Sequence, residues 1–188
     1  MAKKARVYDG TAWQELASAQ TDLTAYSTTA QIATLLSGSV KQVLSTTKTD
    51  TFTTTSNTFV DVTGLSVTIT PTSATSKILV IGQIVVQGAY GADNGMGRLM
   101  RDSTAISVGA AAGSRIPASF GIDAAPVGQT QIVPFLDSPA TTSAVTYKFQ
   151  IRANTSGYTM CVNRNSSDTD ASTTPRYASS ITVVEVLA

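Results

Sequence analysis

The sequence predicts an all-β protein. A β-sandwich of jelly-roll type forms a knob over residues 39–188, preceded by a small N-terminal hairpin and a short helix within residues 1–38. Three observations carry this. Short β-branched runs recur, such as Lys77-Ile78-Leu79-Val80-Ile81, Ile84-Val85-Val86 and Ile181-Thr182-Val183-Val184. Turn-forming clusters separate them at short intervals. Ser and Thr supply about 27% of the residues and charged side chains only 13%, the composition of strands and turns with a hydroxyl-rich, weakly charged surface.

Taken from the N-terminus, Ala5-Arg6-Val7-Tyr8 is a short strand, Asp9-Gly10 a strong turn dipeptide, and Thr11 to Leu16 the return strand. Two strands alone are marginal in water, so the hairpin is expected to anchor on another surface. Val7, Tyr8, Trp13 and Leu16 are its anchoring candidates, with Trp13, the only tryptophan, at the centre. Residues 21–37 read as a helix, with Thr21 as N-cap and Gly38 closing the C-terminus. Leu23, Tyr26, Ala30 and Ala33 follow a 3-4-3 spacing. About sixteen residues rich in Thr and Ser do not hold a helix alone. Either a bundle of identical copies, most plausibly three, buries the stripe as a trimeric neck, or the helix lies on its own domain.

In the knob, Leu65, Val67 and Ile69 share one face of a strand. Lys77 to Gln87 is more apolar, as in a central strand covered on both faces. Thr63-Gly64, Pro71-Thr72-Ser73, Gly95-Met96-Gly97, Asp102-Ser103, Ser138-Pro139 and Ser156-Gly157 read as turns, and Gly88–Gly97 and Gly109–Gly113 as loops.

The composition excludes several function classes. A net charge of +1 supplies no field for nucleic acid, and aromatics at 6% supply no stacking platform. No apolar run approaches the ~20 residues of a membrane span. Met1-Ala2-Lys3-Lys4-Ala5 lacks the apolar core of a signal peptide. The single cysteine, Cys161, sits in an apolar run and is expected in the core.

There is no histidine, which removes imidazole-based triads, bases and metal sites. The glycine clusters lack phosphate-loop and dinucleotide spacing. Asp102, Asp123, Asp137, Asp168 and Asp170 are available to a glycan-cleaving pair, but most lie beside Ser, Asn or Pro, where Asp makes local turn bonds. Asn163, Asn165, Asp168 and Asp170 cluster oxygen ligands that would suit calcium, without the spacing of a helix–loop–helix site; a polar loop is the favoured reading. Tyr90, Tyr158 and Tyr177, with Arg164 or Arg176, are candidates for stacking on and hydrogen-bonding a glycan. No enzyme activity and no cofactor is expected.

The chain resembles the β-rich head module found at the C-termini of bacteriophage fibre proteins. The resembling segments run in order: Lys48 to Phe52 with Phe59 to Leu65, Thr75 to Val80, Arg98 to Ile106, Phe135 to Pro139, Val162-Asn163-Arg164, and Ser179 to Val186. They span most of residues 41–188. Val7 to Trp13 is similar to the N-terminal segment of several phage structural proteins. The resemblance implies a homotrimeric fibre or knob that is part of the virion and touches other phage structural proteins of capsid, portal or tail. Three readings follow: a short trimeric fibre whose knob binds a host-surface glycan, a capsid-decoration protein of purely structural role, and, remotely, a glycan depolymerase.

Overall fold

The structure, a computed structural model, describes residues 6–8, 10–15, 36–89 and 94–188, with the backbone alone for 6–8 and 13–15. Chain contacts divide it into two compact units, Met1–Gly38 and Ser39–Ala188.

In the first unit, β1 (Arg6–Tyr8) and β2 (Trp13–Glu15) form the antiparallel hairpin, with Tyr8 opposite Trp13 and Arg6 opposite Glu15. Gly10 takes φ 99°, a left-handed conformation that glycine adopts without steric cost. Leu16 and the predicted neck residues Leu23, Tyr26, Ala30 and Ala33 lie outside the described residues.

The second unit is a sandwich of two antiparallel sheets. Its strands are β3 (Val40–Lys48), β4 (Phe52–Thr54), β5 (Val60–Ile69), β6 (Lys77–Gly88), β7 (Gly95–Arg101), β8 (Thr104–Ile106), β9 (Phe120–Ile122), β10 (Gln129–Asp137), β11 (Val145–Ala153), β12 (Met160–Val162) and β13 (Ser179–Val186). One sheet has six strands. β6 is its centre, flanked by β10 on one edge and by β13 and β12 on the other, with β3 outside β13 and β4 outside β12. The other runs β5-β11-β7, with β8 and β9 sharing the far edge of β7. The pairing is nested: β3 with β13, β5 with β11, β6 with β10, β7 with β8 and β9. One long hairpin folded over itself in this way is a jelly roll.

Alternation builds the core. In β11, Val145, Tyr147, Phe149, Ile151 and Ala153 face inward and are all buried. From the six-stranded sheet, Ile78, Val80, Ile84, Ile181 and Val183 meet Leu65, Val67, Ile69 and Leu99. Each such side chain contributes roughly 1.5–3 kcal/mol by leaving water. Cys161 is buried, as its apolar neighbours predict, and burial pushes its thiol pKa up.

Three sequence readings need correction. Thr63-Gly64 is not a turn between strands. It lies inside β5, where the register against β11 shifts and Gly64 takes φ 79°, a bulge that keeps both Val62 and Leu65 inward. Gly95-Met96-Gly97 lies inside β7, where the glycines make room: a Cβ on Gly97 would collide with the Phe120 ring and one on Gly95 with Met160. Lys77 to Gln87 is a central strand, but only its second half is covered on both faces, and Ile81 is 44% exposed.

Candidate interaction surfaces

The segment 163–178, between β12 and β13, holds two of the predicted glycan contacts. Arg164 and Arg176 face each other in an isolated bridge, and the Tyr177 amide donates to the Asn163 carbonyl at 3.1 Å. Arg164 and Tyr177 are therefore neighbours. Arg164 is already committed, because its guanidinium pairs with Asp168, which also takes Arg176. Those two cations hold the Asp168 carboxyl below its usual pKa. Tyr177 Oη donates to Asn165 Oδ1 at 3.4 Å. Tyr158 stands 41% exposed in the turn from β11 to β12 and has no described contact with either. Tyr90 lies outside the described residues. Among the described residues, no three His, Cys, Asp or Glu side chains cluster to hold a metal ion.

Asn163, read in sequence as a polar loop residue, is a buried pin. Its Nδ2 donates to the Lys48 carbonyl at 2.8 Å and the Asp50 carbonyl at 3.0 Å, and its Oδ1 accepts from Ser179 Oγ at 2.6 Å. Its own amide donates to the Val85 carbonyl at 3.0 Å, and φ is 62°. No sequence signal separates this buried Asn from a turn Asn, since both favour positive φ.

From that pin the segment crosses one end of the six-stranded sheet's outer face. Gln87, 1% exposed, donates to the Ala125 carbonyl and accepts from the Ser166 amide at 2.9 Å. Val85 is 4% exposed, and a Cβ on Gly128 would strike both Val85 and the Tyr177 ring. The chain thus caps its own sheet at this end.

Among the described residues, none caps the rest of that face. Cross-strand registers place Val43, Val184, Leu79 and Leu136 in one row, Ser45, Thr182, Ile81 and Pro134 in the next, and Thr47, Ser180, Gln83 and Ile132 in a third. No residue of these rows is charged; Lys77 stands at the rim and donates to Ser138 Oγ at 2.8 Å. Val43, Leu136 and Ile132 are 56%, 56% and 67% exposed. The five-stranded sheet turns a different face outward. Asp61 takes Lys148 Nζ at 2.7 Å and Gln150 Nε2 at 2.6 Å. Arg98 donates to Gln150 at 2.9 Å and lies 4.0 Å from the Phe59 ring centroid. That face is built to meet water.

An open groove of about 420 Å³ lies beside β9, lined among others by Gly95, Met96, Arg115, Ile116 and Phe120. Its Ser119 hydroxyl accepts from the Leu99 amide at 3.0 Å, so it has a structural partner. The groove brings together no acid and base for catalysis.

Glu185, fully buried on β13, is tied to Gln42 Nε2 at 2.6 Å and to the Thr72 amide and hydroxyl, both at 2.7 Å. Desolvation opposes its ionisation, yet these hydrogen bonds outweigh it and lower the pKa to about 2. The folded value lies below the unfolded one of 4.5, so ionised Glu185 stabilises the fold above about pH 4.5, and that contribution is lost as the pH falls toward 2. Glu185→Gln is expected to flatten the dependence of urea-unfolding stability on pH across this window. An unchanged slope would contradict the assignment.

No protein-family model matches the chain, and no curated protein matches it in sequence. Among solved structures it is similar to VP2 in a subviral particle of infectious bursal disease virus, at 14% identity and a TM-score of 0.40, over 81% of this chain and 38% of that one. It is similar also to the Gx strain of the same virus, at 15% identity and a TM-score of 0.37, over 79% of this chain and 39% of that one. The chain spans less than two fifths of the length of the structures it matches.

Proposed function

We propose that the chain is a structural protein of a bacteriophage particle, a short homotrimeric fibre attached through its N-terminal unit and carrying a knob for host-surface attachment. Val7, Tyr8, Trp13 and Leu16 are the anchoring residues, Leu23, Tyr26, Ala30 and Ala33 the neck, and Tyr90, Tyr158 and Tyr177 with Arg164 the glycan contacts. The observation that carries the reading is a jelly-roll sandwich in which three of the described acids serve the fold. Asp137 binds Arg101 and Tyr147, Asp61 binds Lys148, and Asp102 caps the Thr146 amide. A small separate hairpin unit and the resemblance to phage fibre heads add the viral context. One observation favours the capsid-decoration reading: Arg164 is held by Asp168, which leaves the glycan contacts to tyrosines.

Deleting residues 1–20 is expected to leave a knob with unchanged circular dichroism that no longer joins particles. Undiminished incorporation would contradict the anchor. Purified protein that blocks phage adsorption supports host attachment, and protein that does not supports decoration.

A further inference from the structure

We propose that the bare half of the six-stranded sheet's outer face is where a second copy of this chain packs, face against face. The contact requires no neck and goes beyond the trimeric arrangement proposed above.

The sequence of β6 is apolar on both sides, as in a strand covered on both faces, yet among the described residues the cap reaches only Val85 and Gln87. Beyond the cap, Ile81 and Ile132 face water at 44% and 67% exposure. Strands about 4.8 Å apart, with same-face residues about 6.8 Å apart, give each outward position roughly 33 Å². The three rows, with Val40, Val186 and Thr130 at their margins, cover about 500 Å². Nine of those positions are aliphatic or proline, about 300 Å² of apolar surface, the size of the largest patch on a typical monomer, which often marks an interaction site. Two such faces bury about 1,000 Å², the threshold for a specific interface.

Charge selects the occupant. The three rows carry no charge, with Lys77 and exposed Lys41 only at one rim, so a partner that sets charged groups over them leaves those groups desolvated and unpaired, which costs more than the contact returns. The five-stranded sheet cannot supply the match, because it presents Lys148, Asp61, Arg98 and Arg152. A second copy supplies a matching face through a two-fold axis. Edge-to-edge pairing through β10 is the competing geometry, and Pro134 in mid-strand opposes it, since it offers no N–H to a neighbouring strand. The copies therefore stack on their faces.

The test uses the full chain. Sedimentation is expected to give an even-numbered assembly whose mass halves in Ile132→Lys/Leu136→Lys, with a melting temperature close to that of the unaltered chain. A wild-type monomer or trimer, or an unchanged mass in the lysine variant, would overturn the proposal. If the lysine pair does not fold, Ile132→Thr/Leu136→Thr carries the same expectation on residues the face already uses. Ile81 sits in the middle row and so lies near its mate whichever way the two-fold runs. Ile81→Cys is expected to cross-link between copies with a short bis-maleimide, while Thr68→Cys on the other sheet and the unaltered chain, whose Cys161 is buried, do not. Equal cross-linking at Ile81 and Thr68 would overturn it. The neck fails separately: Leu23→Lys/Tyr26→Lys lowers the copy number if the neck exists and leaves it unchanged if it does not.

Discussion

Replacing Asp137 with alanine is expected to cost about 3–5 kcal/mol of folding stability, the largest loss of any polar substitution in the knob. Asp137 ends β10 in the six-stranded sheet, whereas its partners belong to the other sheet. Arg101 on β7 donates to both carboxylate oxygens, at 2.9 and 3.1 Å, and Tyr147 on β11 donates through its hydroxyl at 2.7 Å. The carboxylate therefore bolts the two layers together at one end of the sandwich. It is 7% exposed and Arg101 25%, so removing it strands a half-desolvated cation and a buried hydroxyl. Burial and the neighbouring carboxylate already push the Tyr147 pKa above its ordinary value, so the phenol stays protonated and donating. Tyr147→Phe removes one neutral donor and is expected to cost about 1 kcal/mol. Urea unfolding checks both values, and a loss below about 1 kcal/mol in Asp137→Ala would refute the bolt.

Asn163→Ala is expected to cost about 3 kcal/mol, or a melting temperature roughly 6–12 °C lower in a chain of this size. Two effects add. Alanine at φ 62° adopts a left-handed conformation at a cost of roughly 1–2 kcal/mol. The Lys48 and Asp50 carbonyls lose their amide donor, and Ser179 Oγ loses its acceptor. Asn163→Gly separates the two, since glycine keeps the backbone but not the hydrogen bonds. It is expected to fall between wild type and alanine in thermal melting. Equal loss in both variants would mean that strain contributes nothing.

The fold was legible where strand chemistry is local. The β-branched runs became β6 and β13, Arg6–Tyr8 pairs with Trp13–Glu15 as a hairpin, and Asp102-Ser103 became the turn between β7 and β8. It was less legible where glycine serves packing. Thr63-Gly64 and Gly95-Met96-Gly97 carry turn chemistry, but one is a bulge and the other clears space for Phe120 and Met160, neighbours that only the folded sheet supplies. Asn163 shows the same limit for polar residues, because its partners at Lys48 and Asp50 lie over a hundred positions away in the chain. The bare face was half legible. Apolar residues on both sides of β6 and β10 signal two covered faces, but the uncharged rows exist only once β10, β6, β13 and β3 are placed side by side.

Imaging purified particles of the phage proposed to encode this chain, with a gold-labelled antibody against the knob, decides whether the chain is a structural component of a virus particle. Regular labelling of the particle exterior is expected, with the protein present in multiple copies per particle by mass spectrometry of the same preparation. Particles that carry neither label nor protein, from cells in which the protein is abundant, would contradict that role.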